Sequence, residues 1–477
     1  MDDSLFSDIN RFNSELNLLS DVDRVTFTSD KILREYYAGG GHLLWMNKYG
    51  LYPVADTLLN ELADLEKEGL SDDYFMVDSL SSLLAKIHVK DFSPANDTLA
   101  MLAAAEYNLT KTYLRYITGM RYGFVNPKRI LNRLDADKKD NATGRVKKYK
   151  VLFDIDIDRP DSMFYATAIK SVDEDLLGNF IREQRPKSDM YNRLCFLLAD
   201  TTYTDKKRVL CNMERSRWRG ASPMGDEDKY VVVNIPAYHL YAHAADTVLD
   251  MRIGCGTFRN KTPLLTGNIS WMEVNPVWII PKSIIENEVS PHAGDTAYFA
   301  RNRYSVIEKA TGDTINAELL TSRMLKSGKY KVVQKGGEGN SLGRIVFRFR
   351  NNMAIYLHDT STKAFFKRER RGVSHGCVRV QKPFEFAEYL LDTDDEWLLD
   401  KLRISMDMEP ETDKGKEFIE ENEGDDLKLV KRLNVEPQVP LFIIYYTIYP
   451  NEHDELTTYP DVYEYDDILY EHIKPFV

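Results

Sequence analysis

Apolar residues change their spacing once, sharply, at Lys229-Tyr230-Val231-Val232-Val233-Asn234-Ile235-Pro236. Helical spacing buries one stripe every 3.6 residues and strand spacing buries alternate residues, so one kind of core cannot serve both halves. From about Ile32 to Ile130 the spacing is helical: Leu51 to Leu62 begins an amphipathic helix and Asn108 to Tyr116 is part of another. Val151 to Asn212 carries mixed helical signals, including Asp173-Glu174-Asp175-Leu176-Leu177. Residues 1–229 therefore read as a mainly helical domain.

After the switch come short β-branched runs at hairpin spacing: Thr247 to Ile253, Leu264 to Met272, Tyr330 to Gln334, Arg344 to Arg350 and Ala354 to Leu357. Residues 230–392 read as a β-rich, sandwich-like domain, interrupted by a polar stretch, 286–340, expected as an insertion or lid. Pro383 to Leu391 reads as a short helix, with Pro383 suited to its first turn. Glu409 to Asp426 is acidic and reads as a solvated helix face or loop, and Val439 to Tyr449 as one buried strand. Residues 393–477 are then an extension that packs on the β domain or completes it. The fold class is α+β with more than one domain.

A chain of 477 residues exceeds one ordinary core, and 43% hydrophobic with 28 Tyr is enough apolar material for two. The net charge of -12, from 63 basic and 75 acidic residues, argues against nucleic acid as a partner, because duplex affinity comes from neutralising phosphates. The cysteines Cys195, Cys211, Cys255 and Cys377 have no C-x-x-C spacing and make no disulfide scaffold. Cys195 and Cys211 lie among apolar neighbours and read as buried small hydrophobes, a single bridge between them staying open. The opening Met1-Asp2-Asp3-Ser4 has no basic and apolar signal region, which on its own reads as cytosol.

Chemistry concentrates in Ser374-His375-Gly376-Cys377-Val378-Arg379. Attack on an amide needs a nucleophile, a base and donors for the oxyanion, and cysteine with histidine supplies the first two. Gly376 lets the backbone turn closely before Cys377. Two histidines are available as base: His358, at the end of the preceding strand, and His375, which shares the face of Cys377 if the segment is extended. Spacing alone leaves both open. Zinc is disfavoured, since Cys377, His375 and His358 lack a fourth ligand, and no metal or other cofactor is expected. Lys363, Lys367, Arg368, Arg370, Arg371 and Arg379 make the surrounding hairpin basic. Arg379, two residues past the thiol, has the position and fork geometry to pair with a substrate carboxylate.

Ile355-Tyr356-Leu357-His358-Asp359-Thr360 followed by Ser374 to Val380 resembles the active-site signature of L,D-transpeptidases with a YkuD-type catalytic domain. Val231 to Tyr238, Lys261-Thr262-Pro263, Asn275 to Trp278, Leu342-Gly343-Arg344 and Phe384 to Ala387 extend the likeness. Leu44-Trp45, Gly50-Leu51, Glu68-Gly69-Leu70 and Asn212 to Trp218 are similar to the scaffold domain of the large, YcbB-like subclass. That subclass often carries a peptidoglycan-binding module just before the last of these segments. Here only Leu198 to Val209 separates the flanking pieces, so the module is expected to be missing.

The resemblance implies peptidoglycan stem peptides as partners, a tetrapeptide donor and a diamino-acid acceptor, joined as 3-3 crosslinks. It implies a Cys377 thioester with His358 as base, and an oxyanion hole of the Gly376 and Cys377 N–H groups helped by Tyr356. Ser374, His375, Trp278 and Arg379 are its substrate contacts. It further implies carbapenem-type β-lactams as covalent inhibitors, and other cell-wall enzymes as partners. The implied site is extracytoplasmic, periplasmic, with any membrane anchor carried by a full-length form. An L,D-carboxypeptidase or a protein-to-wall tethering enzyme would share all these residues, and a catalytically silent wall-binding scaffold is the reading from another class.

Overall fold

The computed structural model describes residues 8–91, 97–139, 143–220, 224, 227–245, 247–423 and 426–477. They divide into two compact units, the first drawn from residues 1–133, 156–223 and 446–477, the second from 134–155 and 224–445.

The first unit is helical: α1 (Ile9–Val22), α2 (Thr28–Ala38), α3 (Pro53–Glu61), α4 (Val77–His88), α5 (Thr98–Tyr122), α6 (Ser162–Asp173), α7 (Leu177–Gln184), α8 (Asp189–Ala199) and α9 (Lys206–Arg217). Its centre is α5, 25 residues long and buried on most of its circumference by Leu102, Leu109, Tyr113, Tyr116 and Met120. A helix apolar nearly all round belongs inside a core, and the other helices wrap it. Asp97 starts α5 by accepting from the N–H groups of Leu99 and Ala100, which otherwise lack partners. One buried carboxylate ties the unit together: Glu106 accepts from Tyr37 Oη at 2.8 Å and from the N–H groups of Leu44 at 2.6 Å and Trp45 at 3.1 Å. The expected helix at 51–62 is Pro53–Glu61, with proline at its first position as geometry favours. Residues 200–205 alone join α8 to α9, so no module lies between them.

The second unit is built on a 10-stranded sheet. Its strands are β1 (Phe153–Asp154), β2 (Lys229–Asn234), β3 (His239–Ala244), β4 (Thr247–Gly256) and β5 (Leu264–Val274). After an insertion holding β6 (Trp278–Ile279), β7 (Tyr304–Glu308), β8 (Thr314–Ile315) and β9 (Tyr330–Gln334) come β10 (Ile345–Phe349), β11 (Leu357–His358), β12 (Gly372–Ser374), β13 (Val378–Val380) and β14 (Arg432–Ile444). The order runs β10-β11-β13-β4-β3-β2-β14-β5, and β10 pairs with β5 as well, so the sheet closes on itself. Closure leaves those strands no bare edge. Val231, Val232 and Val233 of β2 are all fully buried, as a strand covered on both faces requires, each side chain contributing about 2 kcal/mol of apolar burial.

Several boundaries differ from the sequence reading. Residues 134–155 fall in the β-rich unit: Ala136–Lys139 pairs with Val146–Tyr149, and β1 pairs in parallel with β5. Strand β14 begins at Arg432 and ends at Ile444, not at Tyr449. Beyond it the chain joins the helical unit, where Asn212 Oδ1 accepts from Thr447 N at 3.0 Å. The extension 393–477 is thus divided between the two units. The acidic stretch includes the helix Asp413–Glu421. Tyr330–Gln334 belongs to the insertion, whose own antiparallel sheet β6-β9-β7-β8 packs round Val289, Phe299, Val306 and Val332. The strand expected over 354–357 is confined to β11, because Ala354 takes a left-handed φ of 53° that ends any extended run.

Candidate active site

Cys377 sits in the turn between β12 and β13, half-buried. Ser374 builds the turn: its Oγ accepts from Gly376 N at 3.1 Å and donates to the Cys377 carbonyl at 2.5 Å. Gly376 holds φ at 123°, which a Cβ would strain, and its carbonyl accepts from Thr262 Oγ1 at 2.8 Å. Thr262 Oγ1 in turn accepts from Gly256 N at 2.8 Å, so the turn is fastened to the end of β4. Among the described residues no acceptor meets the Cys377 N–H.

The base candidate is placed by strand register. Strands β11 and β13 are parallel, with Leu357 opposite Val378 and His358 opposite Arg379, and Val378 N donates to the Tyr356 carbonyl at 3.1 Å. Residues in register on parallel strands point the same way, and so do residues two apart. His358 and Arg379 therefore share one face, and just before them the Tyr356 N–H and hydroxyl reach the Cys377 sulfur. Their mutual influence agrees: Arg379 acts on both the imidazole and the thiol, and the Tyr356 and His358 rings lie 6.0 Å apart.

His358 is 3% exposed, and its Nδ1 donates to the Asp359 carbonyl. That bond places a proton on Nδ1, and the Leu342 carbonyl is a second backbone partner of the ring. Burial, joined by the Arg379 charge, pushes the imidazole down to about 4, against its hydrogen bonding to the carbonyls of Asp359 and Leu342. Burial pushes the Cys377 thiol up to about 11, against the Tyr356 N–H, the charges of Arg348 and Arg379, and the Tyr356 hydroxyl. Burial and the neighbouring thiol raise Tyr356 to about 12, while Arg348 and a hydrogen bond from Trp278 oppose them. At neutral pH the pair is thiol and neutral imidazole. The thiol's own contact is weak, 3.8 Å to the Ala354 carbonyl.

The remaining expected residues separate. Trp278 reaches the site through Tyr356. Arg379 lies 5.6 Å from the centre of the Phe365 ring, its Nε buried without an acceptor and its charge unpaired among the described residues. Ser374, expected as a substrate contact, is 4% exposed and its hydroxyl is used inside the turn. His375 is exposed and turns to the insertion, Nε2 to Glu288 Oε1 at 2.6 Å. Of the basic cluster, Arg371 is structural, donating to the carbonyls of Ile253, Arg368 and Tyr238. Lys363 pairs with Asp359, whose other oxygen accepts from Arg344 N at 2.8 Å. Cys195, Cys211 and Cys255 are in no disulfide.

Sequence reasoning missed Arg348, Thr262 and Glu288. Arg348 lies 4.5 Å from the centre of the Tyr356 ring and pairs with Glu273 at 2.9 Å. Its one signal was a lone cation inside the apolar run Ile345-Val346-Phe347-Arg348-Phe349.

Residues 228–404 match the L,D-transpeptidase catalytic domain of the YkuD type, and residues 30–196 match the scaffold domain. The chain carries a YkuD-type catalytic domain preceded by a scaffold domain, the YcbB-like architecture. Strand β14 lies beyond the matched stretch and still completes the sheet. A protein of Haemophilus influenzae named "Putative L,D-transpeptidase" is 27% identical over 235 residues, 49% of this chain and 48% of its own length. The chain thus spans about half the length of that relative. A solved L,D-transpeptidase from Mycobacterium smegmatis matches 34% of this chain and 53% of its own, at 14% identity and a TM-score of 0.19.

Proposed function

We propose that the β-rich unit joins peptidoglycan stem peptides through a thioester on Cys377, forming 3-3 crosslinks in an extracytoplasmic compartment. The supporting observation is the pairing of β11 with β13, which sets His358 beside Arg379, while Arg379 acts on both the imidazole and the thiol. As the Cys377 sulfur bonds to the carbonyl carbon of the donor's third residue, the thiol proton passes to His358 Nε2. The carbon–nitrogen bond to D-Ala breaks and His358 returns the proton to the leaving amine. A side-chain amine of a second stem then attacks the thioester and gives a proton to His358, the carbon–sulfur bond breaks, and the sulfur takes that proton back as a thiol.

The Cys377 N–H and the Tyr356 hydroxyl are the oxyanion donors; the Gly376 N–H is held by Ser374. Arg379 pairs with a stem carboxylate, and Trp278 positions the stem through its contact with Tyr356. His375 acts at a distance from the chemistry, through Glu288.

The test is mass spectrometry of the intact protein with a carbapenem, followed by incubation with disaccharide-tetrapeptide. The expected result is one covalent adduct, lost in Cys377→Ala, and crosslinked dimers with release of D-Ala. Tripeptide without dimers would replace the reading with a carboxypeptidase. No adduct on folded, reduced protein would refute the active thiol.

A further inference from the structure

The helical unit holds a cleft of about 830 Å³, and its lining combines two chemistries. Its aromatic part comes from Phe27, Tyr74, Tyr122, Phe124 and Phe476, gathered from the start of α2, the short helix Asp72–Phe75, the end of α5 and the C-terminal segment. Its charge comes from Arg115, Arg129, Arg133 and Arg159, with His472 at the same rim and Asp158 the one carboxylate that lines it. The whole chain has a net charge of -12, so this concentration runs against its composition.

Arg115 is the anchored member. Its Nε and Nη2 donate to the two oxygens of Asp30 at 2.7 and 3.0 Å, and its guanidinium lies 5.4 Å from the ring centres of both Phe27 and Tyr74. The Tyr74 hydroxyl, also at the cleft, is buried and has no hydrogen-bond partner among the described residues. A buried hydroxyl is unfavourable unless something bonds to it. Arg129, Arg133 and Arg159 are exposed, and no carboxylate pairs with them among the described residues.

We propose that this cleft is a binding site for a carboxylate-bearing glycan, a strand of the wall polymer with its peptide stems, separate from the site at Cys377. Sugar rings present apolar faces that stack on Tyr and Phe, with a polar rim suited to a hydroxyl such as that of Tyr74. Stem carboxylates match the planar fork of arginine in paired hydrogen bonds, which an ammonium cannot reproduce. The volume is at the upper end of small-ligand sites, enough for a disaccharide with part of its stem. The choice of polymer rests on the function proposed above; the carboxylate and ring chemistry rests on the cleft.

The experiment is co-sedimentation of the full chain, as Cys377→Ala, with purified insoluble peptidoglycan at low and moderate salt. The triple variant Arg129→Glu, Arg133→Glu, Arg159→Glu should bind at least tenfold more weakly and lose most of the salt dependence. All three side chains are exposed, so folding is expected to survive, and circular dichroism checks it. The milder Arg159→Gln should show a smaller loss in the same direction. In the active background these variants should turn over soluble disaccharide-tetrapeptide within twofold of wild type. Polymer whose carboxylates are capped as methylamides should not be retained.

Unchanged sedimentation of the triple variant, or retention of the capped polymer at wild-type affinity, would overturn the proposal. So would binding of phosphatidylglycerol vesicles with none to the polymer, which would make this a lipid headgroup site. Arginine-dependent sedimentation by a protein that takes no carbapenem would sink the catalytic reading and leave this one standing.

Discussion

At the residue scale the site stores no thiolate. With Cys377 raised to about 11 and His358 lowered to about 4, the proton moves only when a carbonyl is in place to receive the sulfur. Alkylation of Cys377 by iodoacetamide should therefore be slow at pH 7 and climb through pH 10, with no plateau near neutrality. A plateau below pH 8 would show a stored ion pair. His358→Ala should lower turnover by about 10²–10⁴-fold, as loss of a general base does, while alkylation at pH 10 stays near wild type. If instead His375→Ala removes turnover and His358→Ala keeps it, the base is His375. The thiol, both histidines and Arg379 were legible because they lie within two short segments. Arg348 and Thr262 were not, because each reaches the site from a distant strand or turn and only the fold brings them together.

At the scale of elements, the sequence located the switch to strands and most of the β-runs, since alternation is a local signal. It failed where a side chain elsewhere overrides that signal. Asn351 Oδ1 accepts from the N–H groups of Met353 and Ile355, both at 3.0 Å, and its Nδ2 donates to the Ile355 carbonyl at 2.7 Å. This holds Ala354 left-handed in what reads as a strand. Removing these bonds by Asn351→Ala should cost about 1–3 kcal/mol, visible in chemical denaturation, with reduced turnover because Ala354 supplies the contact of the thiol. The Glu288–His375 pair behaves differently. Both side chains are about half exposed, so the ion pair is worth little to stability. Glu288→Gln should move Tm by under about 2 °C. Its effect should appear in KM with kcat retained, as expected for a contact between the insertion and the turn of the nucleophile. A fall in kcat with KM unchanged would place His375 in the chemistry.

At the scale of the whole molecule, two compact units share one chain that passes from one to the other and back, through 134–155 and again beyond Tyr445. Composition announced two cores but not these crossings, because β1 and the pairings of β14 are set by partners far along the chain. Each unit should then respond to pH through its own buried groups, and for the helical unit the group is Glu106. Burial raises it to about 7, above 4.5 for the free side chain, although Leu44, Tyr37 and Trp45 all donate to it. The folded state therefore holds a proton between about pH 4.5 and 7 that the unfolded chain has released. Stability falls as pH rises through that window, and is full below it. The difference of about 2.5 pH units corresponds to at most ~3.4 kcal/mol at 1.36 kcal/mol per unit. Calorimetry from pH 5 to 8 should show the transition of the helical unit moving to lower temperature as pH rises. Glu106→Gln keeps the shape and cannot ionise, so that slope should flatten in the variant while the transition of the β-rich unit keeps its own pH dependence. Equal slopes in both proteins would mean that Glu106 stays ionised in the core, held by its three donors against the cost of burial.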